Sequence, residues 1–284
     1  MRLAILSDLH LGPDRGGKLG SFAGETLQAF LEATERSAAD RIVELGDRIN
    51  EVDAETDAAN LGRVAEAFRR AGAPRTHLLG NHDLHHLSRD QNARLLNVSM
   101  RSEATELGTA GGARWRLLAF RPDATYVPRH GRLRMREEDL AWLQAALAED
   151  PNAATIVASH VPLLRVPLEG NPYFAARPHT RAWHENVDAA TEILARHPQV
   201  VACLHGHTHQ PDVTVFDGIP FLTAPSPTEA FGTDPDPGRG WATLDLGTEL
   251  RFEVHGLAPW SWSAPVRLPR RRWSAAARAA QEPR

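Results

Sequence analysis

Aspartate, asparagine and histidine residues recur directly after short apolar segments of this sequence. The pattern appears at five places, which carry Asp8 and His10, Asp47, Asn81 and His82, His160, and His207 and His209. Carboxylate, amide and imidazole side chains make a mixed oxygen and nitrogen donor set, which suits Mn, Fe, Co or Zn better than Ca. The donors exceed the needs of one ion, and two ions about 3.5–4 Å apart that share a carboxylate can activate a bridging water.

Each of these residues also has an ordinary structural explanation. An aspartate after a strand is often a helix N-cap, an Asn-His pair is often part of a turn, and a His-x-His pair occurs by chance. We favour a shared metal site because five such coincidences fall at strand ends of one chain.

The apolar segments before these residues are predicted to be buried strands. Residues 3–6, 41–45 and 76–79 form strands that alternate with helices at 22–37 and 54–71. This βαβαβ order indicates parallel strands covered by helices. Ligands bind outside the carboxyl ends of such strands, so the polar residues should meet at one edge of the sheet.

The second half of the sequence continues the pattern and then changes it. Strands are predicted at 114–120, 155–158 and 200–204, and helices at 137–148 and 183–196. After Pro211, consecutive strands follow at 213–216, 219–223, 241–246 and 250–255, with a hairpin turn at Asp217-Gly218. The predicted fold class is α/β, a four-layer α/β/β/α sandwich of two mixed sheets flanked by helices.

Composition limits the remaining functional classes. The 284 residues are 42% hydrophobic, and we predict one domain at 1–264 followed by a basic C-terminal tail at 265–284. A mean hydropathy of -0.38, with no long apolar run and no secretory signal pattern, predicts a cytoplasmic protein without membrane contact. A net charge of -4 argues against dedicated nucleic-acid binding. The single cysteine, Cys203, excludes an internal disulfide, and a homodimer is left open.

The ordered motifs resemble those of the calcineurin-like metallophosphoesterase superfamily. They are Asp8-x-His10, Gly46-Asp47, Gly80-Asn81-His82-Asp83, Ser159-His160 and Gly206-His207-x-His209. The resemblance implies two divalent or trivalent transition ions, with Mn or Fe first and Zn or Co as alternatives. It also implies the ligands, which are Asp8, His10 and His209 for one ion, Asn81, His160 and His207 for the other, and Asp47 between them.

The same resemblance implies a catalytic role for His82, which is not a ligand in the family. His82 would stabilise the substrate phosphate together with Asn81, or protonate the leaving oxygen. Asp83 would orient His82 through a hydrogen bond, as carboxylates behind a site residue commonly do. A hydroxide bridging the metals would attack phosphorus in line.

Weaker motifs are similar to the bacterial cyclic-nucleotide phosphodiesterase and glycerophosphodiesterase group. They are Gly131-Arg132-Leu133, the segment 138–143, Ser159-His160-Val161-Pro162, Gly218-Ile219-Pro220 and the segment 223–226. They imply a small phosphodiester substrate, with a cyclic nucleotide as the leading expectation. The alternatives are a phosphomonoesterase on the same site and a catalytically silent scaffold, which should lack metal ligands, whereas none is missing here.

Two features leave the substrate open. Arg48 stands where the family usually has an apolar residue, and it could bind a substrate phosphate or form a salt bridge. The segment 163–183 is long for a connection and is either a functional lid or a loop packed by its own aromatic residues. It contains Arg165, Asn171, Tyr173, Phe174, Arg177 and His179, and His130 is a further candidate near the site.

Overall fold

The computed structural model describes residues 1–122, 133–174, 181–231 and 233–269. The predictions for His130, Arg177, His179, the Gly131-Arg132 pair and the tail from residue 270 onward lie outside the described residues. None of the helices within those four ranges is long and apolar enough to cross a membrane.

The described elements alternate between strands and helices and end in a run of strands. In chain order they are β1 (Arg2–Leu6), α1 (Ala23–Arg36), β2 (Arg41–Glu44), α2 (Ala54–Arg70), β3 (Arg75–His77), α3 (Arg89–Leu96), β4 (Glu103–Ala110), β5 (Ala113–Ala119), α4 (Glu137–Glu149), β6 (Ala154–Ala158), α5 (Val187–Arg196), β7 (Val200–His205), β8 (Asp212–Phe216), β9 (Ile219–Thr223), β10 (Trp241–Leu246), β11 (Glu249–His255) and β12 (Trp260–Pro265).

The strands form two six-stranded mixed sheets across the described residues. The first has the order β12-β11-β10-β1-β2-β3, with β1, β2 and β3 parallel and β10 antiparallel to β1. The second has the order β4-β5-β6-β7-β9-β8, with parallel pairing from β5 to β9 and antiparallel strands at both edges. Parallel strands at the centre of each sheet place their carboxyl ends at a common edge.

Side-chain alternation along the strands explains how the sheets are layered. Leu3 and Ile5 of β1 point into an inner core with Trp115 and Ile156 of the second sheet. The alternate residues of β1 pack instead against α1 and α2, where Phe30 is a central contact. Helices α4 and α5 cover the outer face of the second sheet. Strands covered on both faces read as continuous apolar runs, and the predicted four-layer sandwich is confirmed.

Most predicted elements are present, but three were missed. Helix α3 is short and mostly polar, and β4 carries partly or fully exposed side chains at a sheet edge. Strand β12 lies at the edge of the first sheet and pairs with β11, with Trp262 opposite Phe252. Edge elements bury little apolar surface, so their sequences lack the apolar runs by which the central strands were found. The strand β12 ends at Pro265, next to the predicted domain boundary.

A buried arginine connects the segments that follow β2 and β3. Arg48 pairs with Glu44, donates a hydrogen bond to the Leu78 carbonyl, and places Nη1 2.6 Å from Asp83 Oδ2. Glu44 also accepts a hydrogen bond from Gly46 N at 2.8 Å and contacts His77 Nδ1 at 3.0 Å. Burial opposes ionisation of Glu44, but Arg48 and His77 outweigh it and lower the pKa of Glu44.

The Asp83 carboxylate holds the same two segments through their backbone. It accepts hydrogen bonds from Asp47 N at 3.0 Å, Arg48 N at 2.9 Å and Gly80 N at 3.0 Å. The approach is so close that a Cβ added at Gly80 would lie 2.0 Å from Asp47 Oδ1. Glycine is therefore required there, and the loops after β2 and β3 form one hydrogen-bonded unit.

The buried network generates a stability prediction. In Arg48→Met, Glu44 and Asp83 lose their buried counter-charge, so we expect the free energy of unfolding to fall by about 3–5 kcal/mol. Urea denaturation followed by circular dichroism measures this change. The control is Arg251→Met, which removes an exposed guanidinium from β11 and should change stability by less than about 0.5 kcal/mol. Equal stabilities of the two variants would contradict the role given to the network.

Candidate metal centre

The five predicted strand ends meet at one end of the two sheets. Backbone hydrogen bonds join their loops, from Asp8 N to Gly46 O at 2.9 Å, from His10 N to Asp47 O at 3.0 Å and from Gly206 N to His160 O at 3.0 Å. The structure thus brings the predicted donors from β1, β2, β3, β6 and β7 into a single site.

Asp8, His10 and His209 form the first donor cluster. The Nε2 atoms of His10 and His209 lie 3.0 Å apart, and His209 Nε2 lies 3.3 Å from Asp8 Oδ1. All three residues are buried. Two imidazole nitrogens and a carboxylate oxygen this close together form a donor set that fits a metal ion.

Asp47, His160 and His207 form the second cluster, and Asn81 adjoins it. His160 Nε2 lies 3.3 Å from Asp47 Oδ2 and 3.3 Å from Asn81 Oδ1. The donor atoms of Asp47, His160 and His207 all lie within 4.8 Å of one another. This cluster combines carboxylate, amide oxygen and imidazole, and it contains no thiolate, because Cys203 is buried within β7.

A single oxygen faces both clusters. Asp47 Oδ2 lies 4.0 Å from His10 Nε2 and 3.3 Å from His160 Nε2. The other oxygen, Oδ1, accepts a hydrogen bond from His82 N at 2.8 Å, which fixes the orientation of the carboxylate. This geometry fits a carboxylate shared by two ions.

The backbone of the site is held in an uncommon conformation. Asp8, His10, Asp47, His207 and His209 all have φ between 50° and 67°. Residues other than glycine rarely adopt this left-handed region, and each such residue costs on the order of 1–2 kcal/mol. Five of the predicted donors share it, so packing and hydrogen bonds elsewhere must offset the strain.

Hydrogen bonds to the distal ring nitrogens orient three of the histidines. His160 Nδ1 donates to Leu45 O at 2.9 Å, His207 Nε2 donates to Arg181 O at 2.6 Å, and His209 Nδ1 donates to Glu229 Oε2 at 2.9 Å. These partners favour the tautomer in which the other ring nitrogen carries a lone pair toward the donor clusters. The histidines are therefore prepared to bind metal ions.

The charges of the centre shift its pKa values in opposite directions. Burial opposes ionisation of Asp47, but the imidazoles of His160 and His82 outweigh it and hold the pKa of Asp47 well below its usual range. Burial disfavours protonation of His160 and His209, but Asp47 acts on His160 and Asp8 on His209, raising each pKa to about 9. Without metal, the protonated forms of His160 and His209 are therefore favoured at the positions where the donor sets fit cations.

His82 lies beside the clusters and is held by a residue that the sequence did not predict. Its side chain is partly exposed, its Nε2 lies 3.9 Å from Asp47 Oδ2, and its Nδ1 hydrogen-bonds to Glu51. Burial opposes ionisation of Glu51, yet the hydrogen bond to His82 lowers the pKa of Glu51 to about 2. The predicted contact between Asp83 and His82 is wrong, because the Asp83 carboxylate is fully buried and occupied by Arg48 and backbone N–H groups.

Arg48 does not line the site. Its side chain is completely buried and paired with Glu44 and Asp83. Of the two alternatives left open by the sequence, the salt bridge is correct, and the prediction that Arg48 binds substrate is wrong. For an arginine that follows a predicted metal ligand, the sequence does not indicate whether the side chain points toward the site or into the core.

The described part of the long loop after β6 packs against the metal centre. The ring centroids of Tyr173 and His209 are 5.7 Å apart, and those of Phe174 and His207 are 5.3 Å apart. Asn171 Nδ2 donates to Thr208 O at 2.7 Å, which fixes the loop to the segment between the two histidines. Arg165 pairs instead with Asp188 at 2.8 Å. The aromatic residues of this loop therefore support the histidines directly.

Comparison with known proteins places these features in a family. A probable cyclic nucleotide phosphodiesterase of Synechococcus sp. is 25% identical over 265 residues, covering 90% of this chain and 92% of that protein. The 3',5'-cyclic adenosine monophosphate phosphodiesterase of Escherichia coli (strain K12) is 28% identical over 275 residues, covering 91% of this chain and 90% of that enzyme.

Solved structures show the same fold. A dimetal phosphatase from Danio rerio superimposes with a TM-score of 0.69 at 17% sequence identity, covering 92% of this chain and 98% of that one. The family model described as calcineurin-like phosphoesterase matches residues 1–211, which include all seven predicted donors. The chain therefore belongs to the calcineurin-like phosphoesterase family and is a hydrolase that acts on phosphoric ester bonds.

Proposed function

We propose that this chain hydrolyses a small phosphodiester, a cyclic nucleotide, at a centre of two transition ions. The observation that carries the proposal is the position of Asp47 Oδ2 between two buried donor clusters. The relatives named as cyclic nucleotide phosphodiesterases support the substrate class, because they match about nine-tenths of the chain.

The donor residues divide between two ions in this proposal. Asp47 serves both ions, and the remaining donors are Asp8, His10 and His209 for one, and Asn81, His160 and His207 for the other. Mn or Fe suits this mixed oxygen and nitrogen set, and Zn or Co would also fit. Two such ions, when bound, supply a nucleophile from water at neutral pH and neutralise charge on the phosphoryl group.

His82 is the proton donor to the leaving oxygen in this proposal. Glu51 holds its Nδ1, and Nε2 lies 3.9 Å from Asp47 Oδ2 on a partly exposed side chain. A general acid of this kind contributes about 10²–10⁴-fold to the rate. Asn81, next in sequence, would contact the same phosphoryl group.

Metal content tests the role of Asp47. Chain purified without chelator should carry about two transition ions, as measured by inductively coupled plasma mass spectrometry. Asp47→Ala should lose most of both, because the oxygen common to the two clusters is gone. Asp188→Ala, which removes an exposed carboxylate on α5, should keep the wild-type content. Full metal occupancy in Asp47→Ala would show that Asp47 is not a shared ligand.

Turnover tests the pair of His82 and Glu51. His82→Ala should retain its metals and lose about 10²–10⁴-fold in kcat, and Glu51→Gln should show a smaller loss of the same kind. His86→Ala is the control, because His86 lies outside the centre and pairs with Asp57. Wild-type kcat in metal-loaded His82→Ala on every substrate would rule out the assigned role.

A substrate panel tests the diesterase proposal against the monoesterase alternative. The Mn-loaded chain is assayed on 3',5'-cyclic adenosine monophosphate, bis(p-nitrophenyl) phosphate and p-nitrophenyl phosphate. We expect kcat/KM on the two diesters to exceed that on the monoester by about tenfold or more, a difference of about 1.4 kcal/mol in transition-state stabilisation. The reverse order would identify a phosphomonoesterase.

A further inference from the structure

Lys18 is the only lysine in the sequence, and all the others of the 32 lysine and arginine residues are arginines. It lies outside all of the motifs described above. The structure buries it to 8% exposure at the metal centre, with Nζ 3.5 Å from His82 Nε2. A single lysine in this position calls for a functional explanation.

The backbone around Lys18 is held on both sides. A tight turn closes with hydrogen bonds from Arg15 N to Lys18 O at 2.9 Å and from Lys18 N to Arg15 O at 3.2 Å. Next to it, Leu19 N donates to Thr228 O at 2.8 Å, and Ala230 N donates to Gly17 O at 3.1 Å. The turn is thereby attached to the segment that carries Glu229, and the ammonium group is directed into the centre.

The Lys18 ammonium has no contacting counter-ion among the described residues. Its one hydrogen-bonding neighbour there is His82 Nε2, and no described carboxylate lies at ion-pair distance from Nζ. Burial lowers the pKa of Lys18, whereas the more distant carboxylates of Asp47 and Glu51 act in the opposite direction. A buried charge without a contacting partner is costly, and an anionic ligand would offset that cost.

The position of Lys18 identifies the anion that would fit. His82 Nε2 is 3.5 Å from Lys18 Nζ and 3.9 Å from Asp47 Oδ2, so a group bound over the shared carboxylate is within reach of the ammonium. We propose that Lys18 binds a non-bridging oxygen of the substrate phosphoryl group and thereby adds a fixed positive charge to the centre. This inference rests on the proposed function only in placing the phosphoryl group over Asp47.

A lysine at this position has a consequence for substrate preference. The ammonium is a compact point charge that can meet one oxygen without the space a guanidinium needs. Its attraction grows with the charge of the phosphoryl group, so a dianionic phosphate gains more from Lys18 than a monoanionic diester does. Inorganic phosphate, which carries the greater charge, should therefore be a sensitive probe of Lys18.

The first experiment compares Lys18→Met, Lys18→Arg and the control Arg251→Met, each with its metal content measured. In metal-loaded Lys18→Met we expect kcat/KM to fall by about 100-fold. The inhibition constant for inorganic phosphate should rise by about tenfold or more. Lys18→Arg should recover part of both losses, and Arg251→Met should match wild type because its guanidinium is exposed on β11.

The results that would overturn the role of Lys18 differ from those that would overturn the proposed function. Wild-type kcat/KM and phosphate inhibition in metal-loaded Lys18→Met would overturn the role of Lys18 and leave the diesterase proposal intact. A loss confined to substrates with poor leaving groups would also overturn it, because Lys18 would then act through His82. If the wild-type chain prefers another phosphate ester, the same comparison on that ester still tests Lys18.

A second measurement uses the wild-type chain and does not depend on how Lys18→Met folds. Reductive methylation with ¹³C-formaldehyde keeps the charge and labels one side chain, Lys18, besides the α-amine. The spectrum of Lys18→Arg identifies the Lys18 signal by its absence. Inorganic phosphate added to the metal-loaded chain should shift that signal with a saturating dependence. An unchanged Lys18 signal at phosphate concentrations that inhibit the enzyme would overturn the proposal.

Discussion

The Asp83 carboxylate accepts hydrogen bonds from the backbone of Asp47, Arg48 and Gly80, and the geometry of the centre depends on these contacts. Asp47 and Asn81 lie on loops of two different strands, yet the two donor clusters need both within a few ångströms. A buried carboxylate is costly unless it is paired, and Arg48 provides the pairing. The buried ion pair of Asp83 and Arg48 therefore has a structural role, although both residues stand in or next to motifs that resemble those of a catalytic site.

The centre concentrates strain and charge in one place. Left-handed backbone at five donors and several buried ionisable groups are unfavourable in a metal-free chain. They are compensated locally, by carbonyl and carboxylate partners on the distal nitrogens of His160, His207 and His209. Burial lowers the pKa values of His10 and His207, whereas at His160 and His209 the carboxylates of Asp47 and Asp8 outweigh burial, raise each pKa to about 9 and favour positive charge. Such an environment is complementary to bound cations.

The layered fold and the meeting of the five strand ends could be predicted from the sequence, because apolar runs and the polar residues that follow them are local features. The choice of seven donors among those residues rests on the family resemblance. The partners of those donors could not be predicted. Glu51, Glu229 and Lys18 reach the centre from loops whose paths depend on contacts made far along the chain, such as the pairing of the Gly17–Leu19 segment with residues 228–230. For Arg48 and Asp83 the sequence-based prediction failed in the opposite way. Their positions next to predicted donors suggested a role in the site, but their side chains face the core. Sequence spacing identifies which loop carries a residue, but packing decides to which side that residue points.

The position of β1 between β2 and β10 has a consequence for the order of assembly. Asp8 follows β1, which has two neighbours in the sheet. One of them, β2, is the next strand to be synthesised, whereas the other, β10, comes more than two hundred residues later and places Ala242 opposite Ile5. During synthesis on the ribosome, β1 therefore remains a sheet edge until β10 has emerged. Contacts so distant in sequence form slowly. The nascent chain therefore carries the candidate donors at the end of β1 long before the sheet that positions them is complete.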